Sequence, residues 1–184
     1  MSNPTALVTG GAGFIGSHCC VDLILNGYDV VVIDNFTNSS KTAIGQVQRI
    51  TGGNVTVHDI DLTDREALDG VFKSRPIDVV VHFAAYKAVG DSMNRPLEYY
   101  TNNLTGLLSL LNAMRDADVK HLIFSSSCSI YGDAVVLPLT EDSPARPTNP
   151  YAKSKWMCEQ ILADLCTRYP DWSVTALRYF NPTG

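Results

Sequence analysis

The sequence predicts an α/β fold, a doubly wound parallel sheet with helices on both faces. Three observations carry that prediction. Short apolar runs alternate with helical patterns along all 184 residues. A glycine-rich turn follows the first run and opens the first helix. Polar clusters stand directly after each later run, where the carboxyl ends of parallel strands present ligand-binding groups. The pattern is Rossmann-like.

Ala6-Leu7-Val8 reads as the buried part of a first strand near 5–9, followed by Thr9-Gly10-Gly11-Ala12-Gly13-Phe14-Ile15-Gly16. A helical pattern then runs to about Asn26-Gly27, where glycine supplies the stop. Gly11, Gly13 and Gly16 satisfy G-x-G-x-x-G, and Gly10, Gly13 and Gly16 equally satisfy G-x-x-G-x-x-G. Such glycines permit a tight turn and close approach of backbone to a pyrophosphate. The helix N-terminus offers N–H groups to the same phosphates. A second strand near 28–33 ends in Asp34, roughly twenty residues past the glycines, as the dinucleotide fingerprint requires. A carboxylate there accepts hydrogen bonds from an adenosine ribose and repels a 2′-phosphate. No arginine follows closely, although Lys41 stands nearby, so NAD rather than NADP is expected.

A third strand near 54–58 precedes Asp59-Ile60-Asp61-Leu62, and Thr63-x-x-Glu66 forms a capping-box signal for a helix to about Ser74. A fourth strand near 77–82 leads into Phe83-Ala84-Ala85-Tyr86-Lys87. A long helix near 97–115 carries Leu97, Tyr100, Leu104, Leu107, Leu108, Leu111 and Met114 at three- and four-residue spacing. A fifth strand near 119–124 ends in Ser125-Ser126-Ser127, and a sixth near 172–178 leads into Tyr179-Phe180-Asn181-Pro182-Thr183-Gly184. Between them, Asn149 and Pro150 supply an N-cap and a first helical residue, so Tyr151 falls in the first turn. Lys155, four residues on, shares its helix face. A free tyrosine titrates near pH ~10. A cation and the positive end of a helix both favour the phenolate and lower that value.

Taken singly, Asp61 fits an Asx turn, Lys87 a solvated side chain and the serines a polar cap. Their joint placement beyond the strand ends points to one site. His82, at the end of an apolar strand, reads as a packed and hydrogen-bonded histidine. His18, Trp156 and Trp172 read as structural.

Composition narrows the class. The chain suits one domain with a sizeable core. A net charge of −5 argues against non-specific nucleic-acid binding. No apolar run approaches the roughly eighteen residues of a membrane span, and no apolar leader opens the chain. The five cysteines (Cys19, Cys20, Cys128, Cys158, Cys166) are odd in number and form no C-x-x-C pair. They read as reduced cytoplasmic thiols, with neither a disulfide framework nor a metal site.

With these motifs assembled, the chain resembles the extended short-chain dehydrogenase/reductases, and within them the UDP-glucose 4-epimerase (UDP-galactose 4-epimerase) branch. The matching stretches are Val8 to His18, His82 to Gly90, Pro96-Leu97-Glu98-Tyr99-Tyr100, Phe124-Ser125-Ser126-Ser127, Pro150 to Lys155 and Leu177 to Gly184. Ala88-Val89-Gly90 and Arg178-Tyr179-Phe180-Asn181-Pro182 are the stretches most particular to that branch. The resemblance covers the whole chain but only the N-terminal half of the family's length. It implies that residues 1–184 form an NAD-binding domain of a truncated chain that lacks the C-terminal substrate domain.

The activity implied is interconversion of UDP-glucose and UDP-galactose, an isomerase reaction of galactose metabolism. Tyr151 would take the proton of the sugar 4-hydroxyl while hydride passes to tightly held NAD, and a 4-keto sugar would turn over before hydride returns. Ser127 would bind the same oxygen and relay the proton, and Lys155 would hold the nicotinamide ribose. Gly10, Gly13, Phe14, Ile15, Gly16, Asp34, Asn35, Asp61, Leu62, Phe83, Ala84, Lys87, Asn102, Tyr151 and Lys155 would line the cofactor. Lys87, Ser127, Tyr151, Phe180 and Asn181 would face the sugar nucleotide. The helices near 97–115 and 150–168 would build a homodimer.

Two departures separate the chain from many epimerases. It has Ala84-Ala85-Tyr86-Lys87 for Ala-Gly-Leu-Lys, and Cys128-Ser129-Ile130 for Ala-Thr-Val. The related 4,6-dehydratases carry an Asp-Glu pair where Cys128 and Ser129 stand, which sets that chemistry aside. Other nucleotide-sugar epimerases or decarboxylases, and a non-catalytic NAD-binding fragment, stay open as alternatives.

Overall fold

The structure, a computed structural model, describes residues 3–134 and 136–182. Six strands form it: β1 (Thr5–Thr9), β2 (Asp29–Ile33), β3 (Val55–His58), β4 (Val79–His82), β5 (His121–Ser127) and β6 (Ser173–Tyr179). All pair in parallel in the order β3-β2-β1-β4-β5-β6. Every predicted strand is present, the first with unchanged bounds and the others with ends moved by at most three residues. The two central strands are apolar on both faces because helices cover both, which is why they read as unbroken apolar runs.

Among the described residues, seven α-helices accompany the sheet: α1 (Phe14–Leu25), α2 (Lys41–Thr51), α3 (Arg65–Ser74), α4 (Val89–Asn94), α5 (Pro96–Tyr100), α6 (Gly106–Asp116) and α7 (Pro150–Arg168). Val8, Val30, Val32 and Val81 form one core with Cys20 of α1 and with Ile44 and Val47 of α2. Leu7, Val31, Ile33, Val80, Leu122 and Phe124 form the other with α3, α6 and α7. Alternate residues of each strand thus serve opposite layers.

Local signals set several boundaries. Asn149 caps α7 by accepting from Ala152 N at 2.9 Å, with Pro150 at the first helical position, as expected. The capping of α3 differs from expectation. Asp64, rather than Thr63, is the N-cap and accepts from Ala67 N at 3.1 Å. Thr63 instead donates its N–H and hydroxyl to Asp61 Oδ1.

The single helix expected near 97–115 is three consecutive pieces. α5 passes through a π-helical turn at Thr101–Thr105 into α6. The extra residue of that turn rotates the stripe. Tyr99 is therefore buried and Leu97 is 78 % exposed, while Leu107, Leu110, Leu111 and Met114 reach the core and Leu108 does not. Thr183 and Gly184, at the end of the last matching stretch, lie outside the described residues.

Candidate active site

The carboxyl ends of β1, β2, β4 and β5 open into one cleft of about 550 Å³. Its floor is the turn after β1. Gly10 adopts φ +69°, and a Cβ there would stand 2.7 Å from Ala84 N, so the ends of β1 and β4 meet only because the side chain is absent. A Cβ on Gly16 would stand 2.2 Å from Gly10 O, which fixes how closely α1 approaches the turn. Gly10, Gly13 and Gly16 line the cleft, whereas Gly11 faces the Val32 side chain. Of the two glycine registers the sequence allows, the one starting at Gly10 builds the floor. Gly13 caps α1 with no side-chain bond, so the first-turn N–H groups are left without a side-chain cap at the cleft.

Asp34, at the end of β2, fastens this floor. Its Oδ2 accepts from Ala12 N at 2.9 Å, and its Oδ1 accepts from Phe36 N at 3.0 Å and Ser39 Oγ at 2.7 Å. A carboxylate has about four acceptor positions, so roughly one is left for a ligand hydroxyl. Asp61 accepts from Asn35 Nδ2 at 2.7 Å and from Thr63. These bonds hold its carboxyl below the ordinary range, against the opposing effect of burial. Lys41 pairs with Asp59 at 2.7 Å and lies over the Phe36 ring.

The opposite wall is β5 with α7. Lys155 is buried, and its Nζ donates to Ser125 O at 2.7 Å above the Phe124 ring. Burial lowers its pKa to about 8. Tyr151 is half-buried beside Ser127. Burial raises its pKa, the Ser127 hydroxyl lowers it, and the neighbouring Cys128 raises it. The net direction is upward, so the depression by Lys155 that helix spacing suggests is not seen. The Lys155 ammonium is committed to the Ser125 carbonyl instead. Ser127 accepts from Ser129 N at 3.2 Å and Ser129 Oγ at 2.8 Å.

The π turn presents Asn102 to the cleft and turns Asn103 inward. Asn103 Oδ1 accepts from Tyr86 N at 2.8 Å and from Asn102 Nδ2, while its Nδ2 donates to Tyr86 O and to Ser154 Oγ. It pins the Phe83–Lys87 segment to α7.

Every sequence-predicted residue reaches this one cleft: Gly10, Gly13, Phe14, Ile15, Gly16, Asp34, Asn35, Asp61, Leu62, Phe83, Ala84, Lys87, Asn102, Ser127, Tyr151, Lys155, Phe180 and Asn181. The sequence reading missed Asn38, Ser39 and Tyr179 on the wall, and Asn103 behind it. Ser39 carried a signal, since small polar residues cluster in the loop after Asp34. Asn103 carried none. His82 is buried, bonded to Thr9 Oγ1 at 2.6 Å and stacked on Phe124, as a packed histidine should be.

Residues 6–184 match the model of the NAD dependent epimerase/dehydratase family. The chain belongs to that family. Among its relatives, the UDP-glucose 4-epimerase of Bacillus subtilis is 54% identical over 178 residues, which are 97% of this chain and 52% of that protein. The Yersinia pestis UDP-glucose 4-epimerase is 51% identical over 97% of this chain and 53% of its own length. The crystal structure of the Bifidobacterium longum UDP-glucose 4-epimerase, in complex with NAD+ and UDP, superposes with a TM-score of 0.96 at 49% identity. That match covers 98% of this chain and 54% of the solved one. The chain spans about half the length of the curated relatives it matches.

Proposed function

We propose that this chain is the NAD-binding half of an enzyme that interconverts UDP-glucose and UDP-galactose. The observation that carries the reading is the convergence of Ser127, Tyr151 and Lys155 on one wall of the cleft whose floor is Gly10, Gly13 and Gly16. The floor suits a dinucleotide: it leaves the room a Cβ would fill, an uncapped helix N-terminus for phosphates, and a carboxylate acceptor at Asp34. Asp34 together with a Lys41 already paired to Asp59 supports NAD over its 2′-phosphorylated form.

Bound NAD supplies a hydride acceptor that is regenerated within each turnover, so no net redox change is needed. The chain's residues handle the proton. Tyr151 Oη takes it from the sugar 4-hydroxyl, and the Ser127 hydroxyl bonds the same oxygen and offers a relay. Lys155 Nζ, held by Ser125 O, keeps a positive charge one helical turn from Tyr151, where it would hold the nicotinamide ribose. Lys87, Phe180 and Asn181 border the sugar side.

The 61 % exposure of Phe180 on the sugar side of the cleft favours a second reading, cofactor binding without turnover. Proton NMR of UDP-galactose incubated with the chain and NAD+ separates the two. UDP-glucose anomeric signals establish turnover. An unchanged spectrum with calorimetric NAD+ binding leaves a cofactor-binding half, and no NAD+ binding refutes both.

A homodimer fits the exposed Leu97, Leu108 and Met157 on the helices of 96–116 and 150–168. A monomeric mass by light scattering at micromolar concentration would refute it. Free thiols at all five cysteines fit a cytoplasmic protein. No helix of the described residues is long and apolar enough to cross a membrane.

A further inference from the structure

Tyr151, Lys155 and Glu159 follow one another at four-residue steps along α7, and each engages one of the three serines that end β5. Tyr151 and Ser127 share the wall of the cleft. Lys155 Nζ donates to Ser125 O at 2.7 Å. Ser126 Oγ donates to Glu159 Oε1. Because alternate strand residues face opposite sides, the Ser126 side chain points away from that of Ser127 and into the packing between β5 and α7.

Glu159 is the anchored member of this series. Its side chain is 9 % exposed, and burying a charge is costly unless it is paired. Arg178 of β6 provides that pair. Nη2 donates to Oε2 at 2.8 Å and Nε to Oε1 at 3.1 Å. The guanidinium is fixed in turn, since Nη1 donates to Tyr131 Oη at 2.8 Å and to Glu141 O at 2.7 Å. Tyr131 lies in the short 3-10 turn Cys128–Tyr131 that begins where Ser127 ends. One ion pair therefore ties α7, β5, β6 and the turn after Ser127 together.

We propose that Glu159, locked by Arg178, is a positioning residue that sets the register of α7 against β5 and so fixes the approach of Tyr151 to Ser127. The proposal rests on the reading of Tyr151 as the base. Glu159 touches neither cofactor nor substrate in that reading. It acts through Ser126, whose neighbour in sequence, Ser127, lines the cleft wall with Tyr151.

The test reads Tyr151 directly, by NMR of ring-labelled tyrosine with the signal assigned from Tyr151→Phe. Ser126→Ala removes the link to α7 and leaves the Glu159–Arg178 pair in place. Glu159→Ala removes both. Both variants are expected to raise the titration midpoint of Tyr151 by about one unit, the scale of one hydrogen bond to the phenolate. Glu159→Gln keeps an oxygen that accepts from Ser126 and should restore most of the shift. A role confined to stability would move the melting temperature and leave the titration alone. Titration curves of Ser126→Ala and Glu159→Ala that overlay the wild type would overturn the proposal. Should Glu159→Ala fail to fold, Ser126→Ala decides alone. The outcome does not depend on turnover, so a wild-type chain that binds no NAD+ refutes the functional reading separately.

Discussion

Lys155 Nζ donates to the backbone oxygen of Ser125 at 2.7 Å, so the ammonium of α7 closes a carbonyl at the open end of β5. The contact has a pH signature. Burial lowers the Lys155 pKa from 10.5 to about 8. Between those values the unfolded chain binds more protons than the folded one, so stability from this residue rises with pH across that window.

Below pH 8, keeping the ammonium charged in the interior costs on the order of 3 kcal/mol. That cost is already net of the bond to Ser125 O, so Lys155→Met should be the more stable protein at neutral pH by about 1–3 kcal/mol. Urea unfolding of both proteins at several pH values checks this. The wild type should gain on Lys155→Met from pH 8 to 10.5, and a constant difference would show that the ammonium titrates normally.

Two glycines should respond with opposite signs. A Cβ on Gly16 would meet Gly10 O at 2.2 Å and Gly11 Cα at 2.9 Å, all backbone that cannot step aside cheaply. Gly16→Ala should cost about 1–3 kcal/mol and weaken NAD+ binding as the floor is displaced. Gly45 lies mid-helix in α2 with nothing within 4 Å of its absent Cβ. Gly45→Ala should gain about 0.5–1 kcal/mol. Thermal melts of the two variants, with calorimetry on the first, decide the matter.

The parts legible in the sequence are those whose cause is local. Gly10, Gly13 and Gly16 announce the cradle because the turn forbids a Cβ. Asn149 and Pro150 announce the start of α7 because capping is settled within four residues. The Asn103 knot is not legible, because its partners Tyr86 and Ser154 lie 17 and 51 residues away. The π turn hid for a related reason. One extra residue in a leucine-rich helix leaves the composition intact while moving burial from Tyr100 to Tyr99. Helix α2 went unread because only Ile44 and Val47 of its eleven residues are buried. The Tyr151 environment was misjudged because spacing shows that Lys155 is near, but not that Ser125 O holds it.

Tyr151→Phe keeps the ring that packs in the wall and removes the one oxygen assigned to the proton. NAD+ affinity should stay within about twofold, a few tenths of a kcal/mol. Interconversion of UDP-sugars should fall by at least about 100-fold, the lower end of general-base contributions. Calorimetry and sugar NMR on the same preparation read both. Normal turnover in the variant would remove Tyr151 from the mechanism.

His82 should govern the acid limit of stability. Its ring is buried between Thr9 Oγ1, 2.6 Å away, and Phe124. Burial first, and then the charge of Lys155, lower its pKa from 6.5 to about 3. The folded protein therefore holds the ring neutral while the unfolded chain protonates it. Its stabilising contribution is complete above pH 6.5 and disappears as pH falls toward 3. The full loss is on the order of 4–5 kcal/mol, a large share of the 5–15 kcal/mol typical of a domain. His82→Gln can still bond Thr9 but does not titrate. It should be less stable than the wild type at neutral pH, through lost packing on Phe124, yet decline less steeply from pH 6.5 to 4. Parallel declines of the two proteins over that interval would show that another group sets the acid limit.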